Sequence, residues 1–476
     1  MNSQKMFISL MVIYLLFVSG CTQMKNADET IAAIPSVLTP TAAITPAKED
    51  TPYPISTSAK PVFPTPTGRV IATSTALITS VPGESHTRIL LWHSLNELQR
   101  RALGEVITAF QESYPGIRVE EAYFPYDDLR NKFEQVARLG AGPSILLASQ
   151  EWIPELFNAG LIEDLNGQVD ERLLGSLAPV GLVGVNYKSA LPALPYRLDG
   201  VVLFRNKSLI AEPTHTLGEF IDQTVAVTEG GRIGAYLDLG AYFSLPLLAA
   251  CGGQIMDEDG KPAFDDPHGV CWLELLRSLQ EAGLPWVISS QEDADLFKSG
   301  RVGMIIDEVS KAGEFAGAIG EDNLIIDPWP DTDQGHLSGF VRSGVVMMRS
   351  NLADEEREAS WAFIRFLLSP DAQELFAEPE SAGFIPSIAG VDLSDRLIGE
   401  AYQAFQKGTA FPLFSMNAYW NVMEGAIRVA LEKGAEADRI LAQAKDEILR
   451  IIEDTSSFWE WINSWGKISI CKPVLA

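Results

Sequence analysis

The sequence is poor in the residues that build metal centres and nucleic-acid surfaces. Its 476 residues include five histidines and four cysteines, and the histidines are widely scattered instead of being spaced as zinc ligands. It also has no Asn/Asp- and Gly-rich calcium loop. Acidic residues outnumber lysine and arginine by 63 to 36, which gives a formal net charge of -27. Because nucleic-acid binding depends on clustered lysine and arginine, we predict no nucleic-acid partner, and we predict no metal or other cofactor.

Signature motifs of several enzyme classes are absent as well. The chain contains no G-x-S-x-G nucleophile elbow, no H-E-x-x-H helix and no phosphate-cradling G-x-x-x-x-G-K-[ST] loop. We therefore predict that the protein is not an enzyme. A secreted glycosidase stays open as an alternative, because Glu151 and Asp199 could form a catalytic pair of carboxylates about 5 to 9.5 Å apart. A third class is an adhesin or sensor, which would bind a ligand without transporting it.

The N-terminus has the pattern of a bacterial export signal. Lys5 precedes the apolar run MFISLMVIYLLFVSG, which is shorter than the roughly 20 residues of a spanning helix but suits a signal peptide. Ser19 and Gly20 directly before Cys21 resemble the lipobox of bacterial lipoproteins. We expect residues 1–20 to be a lipoprotein signal peptide and Cys21 to carry lipid, so that the protein is exported and anchored to the outer side of the cell membrane. An ordinary cleavable signal with an incidental cysteine is the alternative.

Residues 21–86 differ sharply in composition from the rest. The stretch IPSVLTPTAAITPAKEDTPYPISTSAKPVFPTPTG is dense in proline, threonine and serine and has almost no clustered apolar residues. Such a segment cannot bury enough surface to offset its ordering entropy. We predict a disordered tether that leads from the lipidated cysteine to a folded body beginning near Arg88.

From Arg88 onward, strand and helix signals alternate. RILLWHS, IRVEEAYF and SILLAS are apolar runs typical of strands, and YDDLRNKFEQVARLGAG and EWIPELFNAG predict helices that end in glycine. A further helix is predicted up to Pro115 by apolar residues at helical spacing: Leu98, Leu103, Val106, Ile107 and Phe110. This alternation predicts an α/β fold with a parallel sheet covered on both faces. Ligands of such sheets lie at the carboxyl ends of the strands, which points to the loops at 92–94 and 149–151 and to the stretch after Pro195.

Seven fragments occur in the order seen in extracellular solute-binding proteins of ABC importers. They are LWHSLNE, FQESYPGIRVE, GAGPSILLASQEWIPELFNAGLIEDL, LPYRLDGVVLFRNKSLI, AYFSLPLLAACGGQIMDEDGKPAFDDP, DLFKSGRVGMII and SWAFIRFLLSPDAQ. Over about residues 88–450 the chain resembles the family 1, maltose/maltodextrin-type branch. The resemblance implies a two-lobed, type II periplasmic-binding-protein fold, in which each lobe is a mixed, mostly parallel sheet flanked by helices. Hinge segments join the lobes, which close around a ligand. We expect residues 88–197 with 338–390 to form the N-terminal lobe and 200–335 with 391–455 the C-terminal lobe.

The resemblance also implies which residues touch the ligand. Tyr242 matches the family's sugar-stacking tyrosine, although Ala241 replaces the proline before it, and Trp420 matches a second stacking ring. Asp199 matches a hinge carboxylate that binds sugar hydroxyls, and Glu151 matches the acidic residue after the third strand. The predicted set is completed by Trp92, His93, Glu97 and Trp152.

Several of these residues also have plain structural interpretations. Trp92 could be a core residue, and Glu151 and Asp199 could be solvated or structural carboxylates. Of the neighbouring rings Tyr242 and Phe243, we expect Phe243 to be core and Tyr242 to face the cleft.

One departure from the family pattern bears on the ligand. After GMII the family usually has Asn-Gly-Pro-Trp, but this chain has DEVS at 307–310, so one stacking platform is missing. We therefore expect a carbohydrate shorter than a long maltodextrin, such as a maltose-type oligosaccharide, to be captured and delivered to ABC permease subunits. A polyamine is the main rival ligand. A glycerol-phosphate-type solute follows, if Arg197 or Arg205 offsets the carboxylates.

The last segment, residues 456–476, extends past the family pattern. Phe458, Trp461, Ile462 and Trp465 recur at the spacing of one helix face. We predict that this face packs on the body, with a membrane or partner contact as the alternative. Elsewhere, Cys251 and Cys271 could form a disulfide or remain buried free thiols.

Overall fold

The computed structural model describes residues 86–288, 290–378, 383–414 and 416–465, and their side chains, apart from that of Lys433, through residue 453. The predicted signal peptide, Cys21 and tether lie outside the described residues, as do Cys471 and the last residues of the aromatic segment. Among the helices that the structure describes, none is both long and apolar enough to cross a membrane.

The strands follow the predicted alternation with helices at the start of the body and become less regular later. They are β1 (Thr87–His93), β2 (Ile117–Tyr123), β3 (Ile145–Ser149), β4 (Leu194–Asn206), β5 (Ile233–Ala235), β6 (Leu237–Asp238), β7 (Trp286–Val287), β8 (Val302–Glu308), β9 (Leu324–Asp327), β10 (Phe340–Met348) and β11 (Thr409–Ala410).

The helices fill the segments between these strands and the C-terminal region. They are α1 (Glu97–Ser113), α2 (Tyr126–Ala137), α3 (Ile153–Asn158), α4 (Glu171–Ser176), α5 (Pro179–Val183), α6 (Leu217–Val227), α7 (Ala241–Ser244), α8 (Pro267–Glu281), α9 (Glu292–Lys298), α10 (Ala312–Ile319), α11 (Asp354–Leu367), α12 (Pro370–Ala377), α13 (Arg396–Phe405), α14 (Asn417–Lys433) and α15 (Ala437–Trp465). The predicted aromatic helix face lies within α15, and which surface it contacts stays a prediction.

Helix α1 shows how local sequence sets these bounds. Asn96 caps it by accepting from the N–H of Gln99, and the Gln99 side chain accepts from the N–H of Asn96, so both ends of a capping box are present. The helix ends before Pro115, as predicted. Its buried face matches the predicted face except at Leu98, which is 42% exposed because it lies in the first turn, outside the packed face.

The main sheet is mixed. Its strands run in the order β2-β1-β3-β10-β4-β8-β5, with β11 beside β10 and β9 beside β4, and β6 and β7 form a separate pair. The pairs β1–β2, β1–β3 and β5–β8 are parallel. The antiparallel pairs all involve β4 or β10, the two long strands at the centre.

Strand β4 changes partners at Gly200. Its first half pairs with β10 up to Gly200, which lies opposite Val341, and its second half pairs with β8 and β9. Gly200 has φ 148°, and a Cβ there would lie 2.1 Å from the carbonyl oxygen of Phe340. The close approach of the two strands therefore requires glycine at this position.

The apolar side chains form two hydrophobic clusters. One contains Ile89, Phe110 and Phe363 and is built on β1, β3, α1 and α11; the other contains Phe204 and Trp272 and is built on β4, β8, α8 and α14. The predicted α/β class, with a mixed sheet flanked by helices, is confirmed. The residue limits of the two lobes stay a prediction.

A disulfide joins Cys251 to Cys271, with Cα atoms 5.9 Å apart. It connects the 3-10 segment Leu245–Cys251, which follows α7, to α8. On the same side, the indole N–H of Trp272 donates to the carbonyl of Ser244 at 2.8 Å. Of the two states that the sequence left open, the structure has the disulfide, and both contacts hold the segment after Tyr242 against α8.

Candidate ligand-binding site

A cavity of about 350 Å³ lies where the end of β3 meets the first halves of β4 and β10, and its size is in the range of small-molecule sites. Its walls also include the loop after β1 and the start of α2. The lining residues are Ser94, Leu95, Gln99, Tyr126, Leu147, Ala148, Ser149, Glu151, Tyr196, Arg197, Asp199, Arg342, Ser343 and Gly344. A second cavity of about 440 Å³ shares Gln99, Arg197 and Asp199 with it. The structure thus brings the predicted residues Glu151 and Asp199 to one cavity.

Gln150 braces the end of β3 next to Glu151. Its side chain is fully buried; its amide donates to the carbonyl of Phe411 at 2.8 Å, and its oxygen accepts from the N–H of Ser343 at 2.5 Å. A buried amide with partners on two other segments has a fixed orientation. Glu151 is therefore held at the cavity wall while its own side chain stays exposed.

Strand β4 supplies a cation and a carboxylate to the same wall. Arg197 Nη1 lies 3.6 Å from Asp199 Oδ2, and Asp199 Oδ1 accepts from the N–H of Gly200 at 2.9 Å. The Arg197 guanidinium lies 4.8 Å from the centre of the Phe384 ring. Its stem crosses Gly344 so closely that a Cβ there would lie 2.6 Å from Arg197 Cγ. These contacts fix both charged groups on β4.

A second charged group, formed by Arg342, Glu308 and Tyr242, adjoins the first. Arg342 Nη2 and the Tyr242 hydroxyl both donate to Glu308 Oε1, at 2.7 and 2.5 Å. The Arg342 guanidinium also lies over the Tyr242 ring, 5.6 Å from its centre. Burial, reinforced by the Glu308 carboxylate, raises the pKa of Tyr242 far above its ordinary value, so the phenol stays protonated and donates.

Tyr242 belongs to a cluster of aromatic rings behind Arg342. Its ring centre lies 5.1 Å from that of Phe243, 5.7 Å from Phe340 and 6.1 Å from Trp420. Trp420 is half-buried, and so are both Tyr242 and Phe243. Both rings pack against the same hydrophobic cluster, and that Tyr242 rather than Phe243 faces the ligand stays a prediction.

His93 lies on the inner face of β1 with Ile89 and Leu91, and its side chain is fully buried. The N–H of Leu95 donates to Nδ1 at 3.2 Å, and Nε2 lies 2.5 Å from Glu121 Oε2. Burial lowers the pKa of His93, so the ring is neutral and Nε2 carries the proton. Both ring nitrogens are thus engaged, and no ring atom is exposed to a ligand in this arrangement.

The other predicted contacts lie around the cavity rather than in its lining. Trp92 is half-buried against Phe124, with ring centres 4.4 Å apart. Trp152 is buried and its ring centre lies 5.1 Å from that of Tyr126, a lining residue. Glu97 is exposed and accepts from Arg101 at 2.6 Å. The structure therefore does not bring these three side chains together with Asp199 and Glu151.

Arg205 has no place in the cavity, so the prediction that it could offset carboxylates there is wrong. Its side chain is buried, and its guanidinium donates to both carboxylate oxygens of Asp327, at 2.6 and 2.9 Å. Its third nitrogen donates to the carbonyls of Ile210 and Ala211. The side chain serves the core of the fold, whereas Arg197 does line the cavity.

Glu308 and Arg342 were not predicted as site residues, and Gln150 was predicted only as part of the loop at 149–151. A signal was present for Glu308, because it stands in the DEVS segment where the chain departs from the family pattern. Arg342 lies in an otherwise apolar strand, FVRSGVVMM, and a single arginine in such a strand is a signal that its face meets a polar space. Gln150 gives no such signal, because its role comes from partners more than 190 positions along the chain.

Three buried aspartates, Asp238, Asp293 and Asp307, lie behind this site, and they make stability depend on pH. Burial, together with the charges of Asp238 and Asp307, raises the pKa of Asp293 to about 6, and burial also raises the pKa of Asp307, although Lys311 lowers it. The folded state therefore favours protonated Asp293, and the stability this contributes is full below about pH 4 and is lost as the pH rises through 6. Asp293→Asn should raise the free energy of unfolding at pH 8, by up to roughly 3 kcal/mol, and change it little at pH 4.

Urea unfolding of both proteins at the two pH values measures this difference. Asp295→Asn, on the exposed side of the same helix, should show no such dependence on pH. An equal effect of Asp293→Asn at pH 4 and pH 8 would contradict the prediction.

Comparison with known proteins identifies the family of this chain. Residues 105–407, more than half of the chain, match the bacterial extracellular solute-binding protein family. A maltotriose-binding protein of Pyrococcus abyssi is 25% identical over 384 residues, which are 76% of this chain and 82% of the relative. Two solved structures share the fold: the extracellular solute-binding protein of Staphylococcus aureus in complex with maltose, and the cyclic alpha-maltosyl-1,6-maltose binding protein of Arthrobacter globiformis. The first has a TM-score of 0.68 at 19% identity and the second 0.65 at 20%; each match covers 78% of this chain and 100% of the other. The chain therefore belongs to the bacterial extracellular solute-binding proteins.

Proposed function

We propose that this protein captures a neutral carbohydrate, a short oligosaccharide of the maltose type, outside the cytoplasm and delivers it to the permease subunits of an ABC importer. The observation that carries the proposal is the mixture of charges at the cavity. Two arginines, Arg197 and Arg342, line it with two carboxylates, Glu151 and Asp199, and a third carboxylate, Glu308, pairs with Arg342. A sugar hydroxyl both donates and accepts hydrogen bonds and can therefore use both kinds of group.

The same mixture disfavours the two charged rivals. A polyamine would meet the two guanidinium groups, and the phosphate group of a phosphate-bearing solute would meet the two lining carboxylates, each at short range in a partly desolvated site. A charged polyamine has no acceptor for the arginines, and a phosphate group has no donor for the carboxylates. The names of the relatives support the carbohydrate class, since they are described as binding maltotriose, maltose and cyclic alpha-maltosyl-1,6-maltose.

We assign roles to the predicted residues according to their positions. Asp199 and Glu151 accept hydrogen bonds from ligand hydroxyls, and Tyr242 and Trp420 belong to the aromatic wall behind the site. His93 and Trp152 position the loops that line the cavity. Trp92 and Glu97 stay candidates for contacts that form only when the lobes close.

Anchoring completes the proposal. Lipid on Cys21 and a tether over residues 21–86 would keep the body near its permeases.

The predicted lobes are residues 88–197 with 338–390 and residues 200–335 with 391–455. They would close about the pairing of β4 with β10. The aromatic face of residues 456–476 would pack on the body.

We infer binding without turnover, against the glycosidase alternative. A glycosidase needs one carboxyl group that stays protonated near neutral pH. Glu151 is exposed, and Asp199 accepts from a backbone N–H and faces Arg197, so neither carboxyl group lies in the apolar pocket that such an acid requires. Prolonged incubation with maltotriose and analysis of the products should therefore show intact sugar.

A thermal-shift screen tests the ligand class. The protein is heated with malto-oligosaccharides, other di- and trisaccharides, spermidine and glycerol phosphate. A ligand at 100 times its Kd stabilises the folded state by about 2.7 kcal/mol, which is a readable shift in Tm. The proposal predicts a shift with at least one neutral sugar. A shift with spermidine or glycerol phosphate and with none of the sugars would contradict it.

A further inference from the structure

We propose that Arg342 is a specificity-determining residue that donates hydrogen bonds to ligand hydroxyls, and that Glu308 and Tyr242 hold it in place for this role. The inference rests on the proposed carbohydrate function and names the donor side of that site. It also changes the role of Tyr242, whose ring then supports Arg342 instead of stacking directly on a sugar.

Arg342 and Asp199 border the same cavity. Arg342 in β10 lies directly opposite Asp199 in β4, and residues opposite each other in an antiparallel pair project from the same face. Both side chains line the 350 Å³ cavity, which Glu151 lines as well. A guanidinium and two carboxylates therefore border one space large enough for a small ligand.

Arg342 is held in place by the residues around it. Glu308 Oε1 accepts from Arg342 at 2.7 Å and from the Tyr242 hydroxyl at 2.5 Å, so one carboxylate oxygen joins the two side chains. The guanidinium carbon also lies 5.6 Å from the centre of the Tyr242 ring and 5.9 Å from that of Phe411. Because the side chain is already ordered, a ligand that accepts from it does not have to supply that ordering.

Arg342 keeps N–H donors that a ligand can use. Within the described residues, Glu308 engages one of the five N–H groups of Arg342, and about a third of the side chain is exposed. Two neighbouring hydroxyl groups of a sugar ring can accept hydrogen bonds from the remaining donors and donate hydrogen bonds to Asp199 or Glu151. A polyamine has only N–H donors when charged and cannot accept from Arg342, so this residue selects against it.

Calorimetric titration of the full chain with maltotriose tests the inference, using Arg342→Gln against wild type. Arg365→Gln is the matched control, because Arg365 also lies over an aromatic ring, Trp361, but does not line the cavity. We expect Arg342→Gln to raise the Kd by about tenfold or more, as for loss of a hydrogen bond to a charged group. The control should leave the Kd unchanged. Spermidine, tested by thermal shift, should gain binding in Arg342→Gln alone.

Tyr242→Phe provides a second measurement, which decides the matter if Arg342→Gln does not fold. The substitution keeps the aromatic ring and removes the hydroxyl that Glu308 accepts. A support role predicts a severalfold rise in Kd, whereas direct stacking on the ring predicts no change. An unchanged Kd for Tyr242→Phe would overturn the inference. An unchanged or lower Kd for Arg342→Gln would overturn it as well, because Arg342 would then merely cover the Tyr242 ring. Failure of the wild type to bind any neutral sugar would instead refute the proposed function.

Discussion

Asp327→Asn should destabilise the protein by about 3 kcal/mol or more. Asp327 and Arg205 are 1% and 4% exposed, and the guanidinium donates to both carboxylate oxygens, at 2.6 and 2.9 Å. Removing one partner leaves the other charge buried without compensation, which is far more costly than losing an exposed ion pair. The pair joins the second half of β4 to β9, so its loss weakens the sheet next to the crossing of the long strands.

Urea unfolding followed by circular dichroism measures this loss. Asp128→Asn is the matched control, because Asp128 pairs with Lys132 on the exposed face of α2 at 3.4 Å. The control should change the free energy of unfolding by less than about 1 kcal/mol. Similar values for the two variants would contradict the importance given to the buried pair.

Gly200→Ala should be at least as damaging, with a loss of about 3 kcal/mol or more or failure to fold. The new Cβ would lie 2.1 Å from the carbonyl oxygen of Phe340 and 2.9 Å from the Cα of Val341, and both are backbone atoms of the facing strand. The φ of 148° adds strain that glycine does not experience. Because β4 and β10 are paired at this point, the two strands would have to separate.

Gly104→Ala is the control for this substitution. Gly104 lies in α1, and a Cβ there would meet no atom within 4 Å. Alanine favours a helix over glycine by roughly 0.5–1 kcal/mol, so the control should be slightly more stable than wild type. Differential scanning calorimetry of both variants compares them directly. A Gly200→Ala protein with the Tm of wild type would show that the strands can part without cost.

The sequence was most informative where a structure depends on nearby residues. The apolar run RILLWHS predicts β1, and Pro115 predicts the end of α1; the structure has both. The carboxylates Glu151 and Asp199 could be placed together because both follow or occupy strands whose ends meet at one edge of a sheet. Their meeting at one cavity agrees with that reasoning.

It was least informative where a role depends on distant partners. The apolar run at β1 does not show that the polar His93 is buried with it, which is possible because Glu121 on β2 reaches its ring. Glu308 could be recognised as unusual, but its partners Tyr242 and Arg342 lie 66 and 34 positions away. Pairings of this kind arise from the packing of β8, β10 and α7, which no local pattern encodes.

The most direct test of the account is the affinity of maltotriose for the wild type and for Asp199→Asn, measured by isothermal titration calorimetry. Asp199 lies on β4 and lines both cavities. A hydrogen bond to a charged group contributes about 1.5–3 kcal/mol, so the substitution should raise the Kd roughly 10- to 100-fold. Asp128→Asn should bind like the wild type. Saturable binding that is lost selectively in Asp199→Asn is the predicted result; absence of binding to the wild type, or equal affinity for both proteins, would contradict a sugar site at this cavity.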